Sequence, residues 1–204
     1  MKGWPIVGWA TLAVLAIVGI VLAVAGADET GIRMGIRATA RTSVTFFSLA
    51  FAASALRRRW PNAATGWLVQ NRRQLGVSFA VSHLVHLLLI LAMAGWTWEG
   101  FVAKTPAVTR VAGGIAYVFI ALMTATSFDR TAAWLGPRRW RQLHATGAYY
   151  NWIIFAQSFF RLAFRSPIYW PFAAMLAGAM TVRLAARPTG SARQVDVAAV
   201  RLAQ

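Results

Sequence analysis

Residues 72–90 read RRQLGVSFAVSHLVHLLLI. Two arginines open an apolar run, and two of the chain's three histidines, His83 and His86, sit near its far end. Ionisable side chains inside a bilayer are costly, so they face a bundle interior and serve a purpose there. A spacing of three places both imidazoles on one helix face. The question this stretch raises is whether that face holds a cofactor.

A length of 204 residues would suit one or two soluble domains, but 58% of them are hydrophobic and the mean hydropathy is +0.54. Several apolar runs approach the roughly 20 residues that a helix needs to cross a bilayer. The expected fold is an all-α, polytopic membrane bundle of one domain. A net charge of +16 raises nucleic acid as a partner, since basic surfaces bind phosphate. The arginines cluster at the ends of apolar runs, however, as membrane topology requires. Their partner is therefore the lipid bilayer and not nucleic acid. Cysteine is absent, which excludes disulfides, iron–sulfur clusters and thiolate chemistry.

Six spans are expected. The first, residues 4–26, is read as a retained helix because its apolar run exceeds that of a secretory signal, although Ala25-Gly26-Ala27 resembles a cleavage site. Residues 27–41 read as a short polar stretch with Asp28, Glu29, Arg33 and Arg37. The second span follows at about 42–56, or a turn earlier, and Arg57-Arg58-Arg59-Trp60-Pro61 stops it. The third, about 74–96, carries His83 and His86, and the fourth, about 110–128, carries Gly113-Gly114 for close helix approach. The fifth, about 142–164, is the most polar, with His144, Tyr149, Tyr150, Asn151, Gln157 and Ser158, and is expected inside the bundle. The sixth, about 168–186, leads to a short tail, 187–204. The basic loops at 57–73 and 130–141 and the tail with Arg187, Arg193 and Arg201 fall on one side. That places both termini in the cytoplasm.

Three histidines in an apolar bundle suggest haem, whose iron imidazole commonly holds. The alternative is that each histidine hydrogen-bonds a neighbour in the core. Arg72 and Arg73 read as topology anchors, or else as partners of haem propionates or a flavin phosphate. The pair His83-x-x-His86 is also a candidate for zinc or non-haem iron, but such sites recruit further histidines or carboxylates. The spans hold no acidic residue at depth.

The stretch RRQLGVSFAVSHLVH resembles the third helix of the ferric-reductase-like transmembrane family. Within that family it is most similar to the haem-binding membrane subunits of bacterial periplasmic methionine sulfoxide reductase systems. Trp140-Arg141-Gln142-Leu143-His144 resembles the family's W-x-x-L-H opening of the fifth helix. The resemblance covers about residues 41–164. It implies b-type haem and electron transfer across the inner membrane of a bacterium. His86 matches the third-helix ligand and His144 the first fifth-helix histidine. Two positions depart: Arg72 stands where the wider family has a histidine, and Gln157 where it has the second fifth-helix histidine.

At 1.5 Å per residue, measured from Arg73 and Arg141, His86 lies about 20 Å deep, His144 about 5 Å and Gln157 about 24 Å. His86 and His144 are therefore poor partners on one haem. The expectation is neighbouring third and fifth helices, with His86 the principal ligand of one five-coordinate haem level with Gln157; the alternative is two five-coordinate haems, one on His86 and one on His144. His83 would hydrogen-bond a propionate, a quinone or a backbone carbonyl, and nothing in the spacing favours Met123 or Tyr150 as a ligand. The chain shows no dinucleotide-binding fingerprint after its last span. As an oxidoreductase subunit it would take electrons from quinol or a cytoplasmic flavoprotein, with FMN or quinone as further cofactors. It would pass them to a periplasmic redox partner, a metal complex or oxygen. The competing reading is a non-redox interaction or assembly subunit that kept the scaffold and lost haem ligation.

Overall fold

The computed structural model describes residues 3–186, and every element among them is helical. The tail calls at Arg187, Arg193 and Arg201 lie outside the described residues. In chain order the helices are α1 (Pro5–Ala25), α2 (Glu29–Arg59), α3 (Ala63–Gln70), α4 (Arg72–Met93), α5 (Trp98–Lys104), α6 (Ala107–Ala125), α7 (Asp129–Leu135), α8 (Pro137–Ala163) and α9 (Trp170–Ala185). A single 3-10 turn, Pro167–Tyr169, leads into α9. Among the described residues four segments are long and apolar enough to cross a membrane: Pro5–Ala25, Arg72–Met93, Ala107–Ala125 and Pro167–Ala185. The protein is accordingly an all-helical membrane protein whose apolar faces suit lipid.

The largest departure from expectation is α2. Residues 29–41, expected as a polar connection, form the first three turns of a helix of 31 residues. The Asp28 carboxylate accepts from the Gly31 amide at 3.0 Å and caps the start. Glu29 pairs with Arg33 one turn on. Every fourth residue, Gly31, Gly35, Thr39 and Ser43, is buried, which gives α2 a narrow face of small side chains on which another backbone can close. Arg33 and Arg37 are exposed away from that face, and the guanidinium of Arg41 lies over the Tyr169 ring at 4.9 Å. The charges that suggested a loop decorate the outside of a helix whose inside is small and neutral.

That face meets α4, which runs antiparallel to it. The Thr39 hydroxyl stands 3.1 Å from His86 Nδ1, and Ser82 Oγ stands 2.7 Å from the Thr42 hydroxyl and 2.9 Å from that of Ser43. Beyond these, Arg72 Nη1 donates to Ser54 Oγ at 3.3 Å. Each turn down α2 is matched by one turn up α4. This pairing is the most extensive in the bundle, and α2 also packs on α1, α3 and α9. The stripe Ile6, Ala10, Val14 and Val18 buries α1 against α2 and α4.

α2 therefore holds the central place expected of the fifth span. α8 lies to the side, packed on α6 and α9. Its polar groups find local partners: Asn151 Nδ2 donates to the Gly147 carbonyl at 2.9 Å and the Tyr150 hydroxyl to that of Ala112 at 3.0 Å. A hydrophobic core led by Phe47, Phe51, Phe79, Phe155, Phe159 and Leu176 joins α2, α4, α8 and α9. Gly113 and Gly114 face open space and allow no close approach; Gly147 does so instead, against Met123 and Phe119 of α6. Remaining differences are shorter. Residues expected as loops carry α3, capped by a reciprocal Asn62–Thr65 pair, and α5 and α7. α6 begins three residues earlier than expected and α8 five.

Candidate functional site

A cavity of about 530 Å³ opens among α2, α3, α4, α6 and α8, at the end of the bundle that carries Arg57, Arg58 and Arg59. Its size falls within the usual range of small-molecule sites. Arg72, Arg73, Gln74, Met123, Trp140 and His144 line it, and Phe47, Phe51 and Phe79 form an apolar wall. Arg72 is anchored on α2, donating from Nε to the Ala50 carbonyl at 3.1 Å. Arg73 pairs with Asp129 at 2.7 Å, with both side chains well exposed, so the pair is weak and the guanidinium is available. Gln74 Oε1 is buried and has no hydrogen-bond partner among the described residues.

His144 is held from two sides. Its ring stacks on Trp140, one turn before it, with centroids 4.1 Å apart. Trp140 Nε1 in turn donates to the Thr126 carbonyl at 2.9 Å. His144 Nε2 lies 3.0 Å from Thr126 Oγ1, which stands 2.7 Å from the Leu122 carbonyl. With the hydroxyl proton on that carbonyl Nε2 is the donor; with the hydroxyl turned to the ring, Nε2 accepts.

His86 and His83 do not line this cavity. His86 Nδ1 lies 3.0 Å from the Ile36 carbonyl, which can only accept, so Nδ1 carries the proton and Nε2 keeps its lone pair. Metal-ligating histidines commonly have this arrangement, and so do satisfied core histidines. His83 shares the face, as its spacing implied, and is sandwiched between His86 at 5.0 Å and Tyr117 at 4.9 Å between ring centroids. The Tyr117 hydroxyl donates to the His83 carbonyl, while His83 Nδ1 is buried without a partner among the described residues. Tyr150 is committed to Ala112 and lies tilted against Phe119, with ring centroids 5.4 Å apart.

Gln157 is not brought opposite His86. Phe155 faces α4, meeting Phe79 at 5.8 Å and His83 at 5.5 Å between centroids. Two residues further on, the helix has turned by about 200°, and Gln157 is exposed on the other side of α8. α4 and α8 thus meet across aromatic rings, and the space between them at the His83 level is filled by Phe79 and Phe155.

A haem at the His86 level does not fit this packing, because the rings occupy the volume and no second ligand faces it. The cavity at the other end brings together the groups such a ligand would use: His144 stands in its wall as a candidate iron ligand, and Arg72 and Arg73 could meet propionates. Among the described residues no three histidine or carboxylate side chains come together, and the His83–His86 pair recruits no third group. Thr126, Trp140 and Gln74 were missed as site residues. Gln74 had a legible signal, since Gln74, Ser78, Ser82 and His86 recur every four residues within the opening stretch. Searches against protein-family models, curated proteins and solved structures match nothing to this chain.

Proposed function

We propose that the protein is a membrane electron-transfer subunit of the ferric-reductase-like class, holding one haem b in the cavity beside His144. The observation that carries this reading is the cavity itself, with an imidazole and two arginines in its walls. In it α2 and α8 join the four apolar segments as spans. At 1.5 Å per residue their lengths reach about 46 and 40 Å, enough to cross with turns to spare. The arginine-rich end is cytoplasmic, so the cavity opens toward the cytoplasm of a bacterial cell and both termini lie there.

His144 serves as the iron ligand, which requires Thr126 to give up its bond if Nε2 ligates. Arg72, fixed on α2, and Arg73 bind the propionates. Phe47, Phe51 and Phe79 exclude water from the ring. When bound, the haem supplies a one-electron carrier between a quinol or flavoprotein donor and a periplasmic acceptor. The ring stack of Tyr117, His83 and His86 lies between the cavity and the Trp96 end of α4.

The closed packing at His86 and the outward position of Gln157 favour a second reading, a non-redox assembly or interaction subunit. The visible spectrum of protein produced with ample haem separates the two. The redox reading expects a haem band that His144→Ala abolishes and His86→Ala largely retains. The reverse pattern would move the ligand to His86, and a haem-free wild-type protein would leave the second reading standing.

A further inference from the structure

Two arginines outside the cavity converge on the seam between α2 and α9. Phe51 and Arg58 are seven residues apart, about two helical turns, and so share a face of α2. Arg183, in the last turn of α9, donates from Nη1 to the Phe51 carbonyl at 2.8 Å. Its guanidinium lies over the Phe51 ring at 4.2 Å and the Tyr149 ring at 5.0 Å. Arg58 reaches across from α2, donating from Nε to the Ala186 carbonyl at 3.3 Å, just past the end of α9. Arg72, bonded to Ala50 and Ser54 of the same α2 turns, stands close enough for the charges of Arg183 and Arg58 to act on it. Three like charges from three helices thus oppose one another. No acid offsets them among the described residues: Asp28, Glu29 and Glu99 lie at the opposite end, and Asp129 pairs with Arg73. A guanidinium carries five N–H donors, of which Arg58 and Arg183 each spend one on these carbonyls.

We infer that Arg58 and Arg183, with the charge of Arg72 beside them, bind the phosphate of an anionic phospholipid headgroup at this end of the bundle. Guanidinium recognises phosphate through paired, charge-assisted N–H···O bonds, and basic pockets between membrane helices collect anionic lipid for that reason. The position of Arg183 selects a lipid over free phosphate. The apolar segment Pro167–Ala185 leaves most of its length uncovered by the rest of the protein, and Arg183 stands in its last turn. A phosphate held there has its acyl chains beside the open, apolar side of α9. A choline headgroup brings its own cation, which the arginines repel, whereas a glycerol headgroup brings none. The inference rests on the membrane placement of α9 and stands whether or not the cavity holds a haem.

Native mass spectrometry of the full-length protein, released from detergent, counts the lipids that each chain retains. Offered equal phosphatidylglycerol and phosphatidylcholine, the wild-type chain should hold one phosphatidylglycerol with a preference of about fivefold or more. Absence of a preference overturns the inference without recourse to any variant. Arg58→Gln should lower retention about fivefold, and Arg183→Gln on top of it about fivefold again, as removal of one cation from an anionic lipid does. Arg58 is exposed, so Arg58→Gln alone carries the test if loss of the bond to Phe51 prevents the double variant from folding. Arg130→Gln combined with Arg139→Gln removes the same charge from α7 and α8 and should leave retention nearly unchanged. An equal loss in that control would reduce the effect to general surface charge and overturn the site. Inorganic phosphate in large excess should displace little of the bound lipid. Complete displacement would assign the arginines to free phosphate and overturn the lipid.

Discussion

Thr126 Oγ1 holds His144 at Nε2, so the bond competes with any ligand that Nε2 could take. A neutral hydrogen bond is worth about 0.5–1.5 kcal/mol net. If haem binds through Nε2, Thr126→Val should raise its affinity by up to about tenfold, read by titrating apoprotein with haem. Weaker binding in the variant would show that Thr126 supports the ligand. Gln157 makes the contrary case. A haem on His86 level with Gln157 would gain a second axial imidazole in Gln157→His, but an exposed position facing away from α4 predicts an unchanged spectrum. Low-spin conversion in that variant would require α8 to rotate. The partner of His144 was legible one turn away, in Trp140 of the quoted motif. Thr126 was not, because it belongs to another helix and only tertiary packing brings it there.

Within α2 the decisive side chains are the ones that are missing. A Cβ on Gly31 would collide with the Gly26 carbonyl, which is backbone and cannot swing aside. Gly31→Ala should cost about 1–3 kcal/mol, as overpacking does, and lower the thermal midpoint by several degrees. Gly113 faces open space, so Gly113→Ala should be neutral or raise stability by up to about 1 kcal/mol through helix propensity. A similar loss at both sites would mean that α6 has a close neighbour at Gly113. The four-residue recurrence of Gly31, Gly35, Thr39 and Ser43 was present in the sequence, yet Arg33, Arg37 and Arg41 lowered the apolarity of the same stretch and masked it. Span reading by apolarity recovers the helices that face lipid. It fails on α2, whose inner face is bound by hydroxyls and glycines instead of large apolar groups.

Across the whole molecule the arginines are less one-sided than the loops alone suggest. Arg33, Arg37, Arg161 and Arg165 lie near the end opposite Arg57–Arg59. Positive-inside counting weighs short loops near span ends, and there the 57–73 and 130–141 stretches still dominate. A topology reporter inserted at residues 97–106 should therefore read periplasmic, and one fused after residue 204 cytoplasmic. The opposite pattern would turn the cavity to the outer face.

α2 occupies the centre of the bundle and yet is absent from the segments that length and apolarity mark as spans. On the six-span reading this has a consequence for how the protein is made. The nascent chain delivers α1 and α2 to the insertion machinery before α4 exists to satisfy Thr39, Thr42 and Ser43, and long before α9 covers the other side. Arginine at a helix centre opposes partitioning by about 2.5–3.5 kcal/mol on insertion scales. Lipid alone therefore gives α2 little reason to leave the insertase until its partner arrives. Synthesis of α4 becomes the step that commits α2 to the bilayer, and a ribosome stalled before it would leave α2 to quality-control proteolysis.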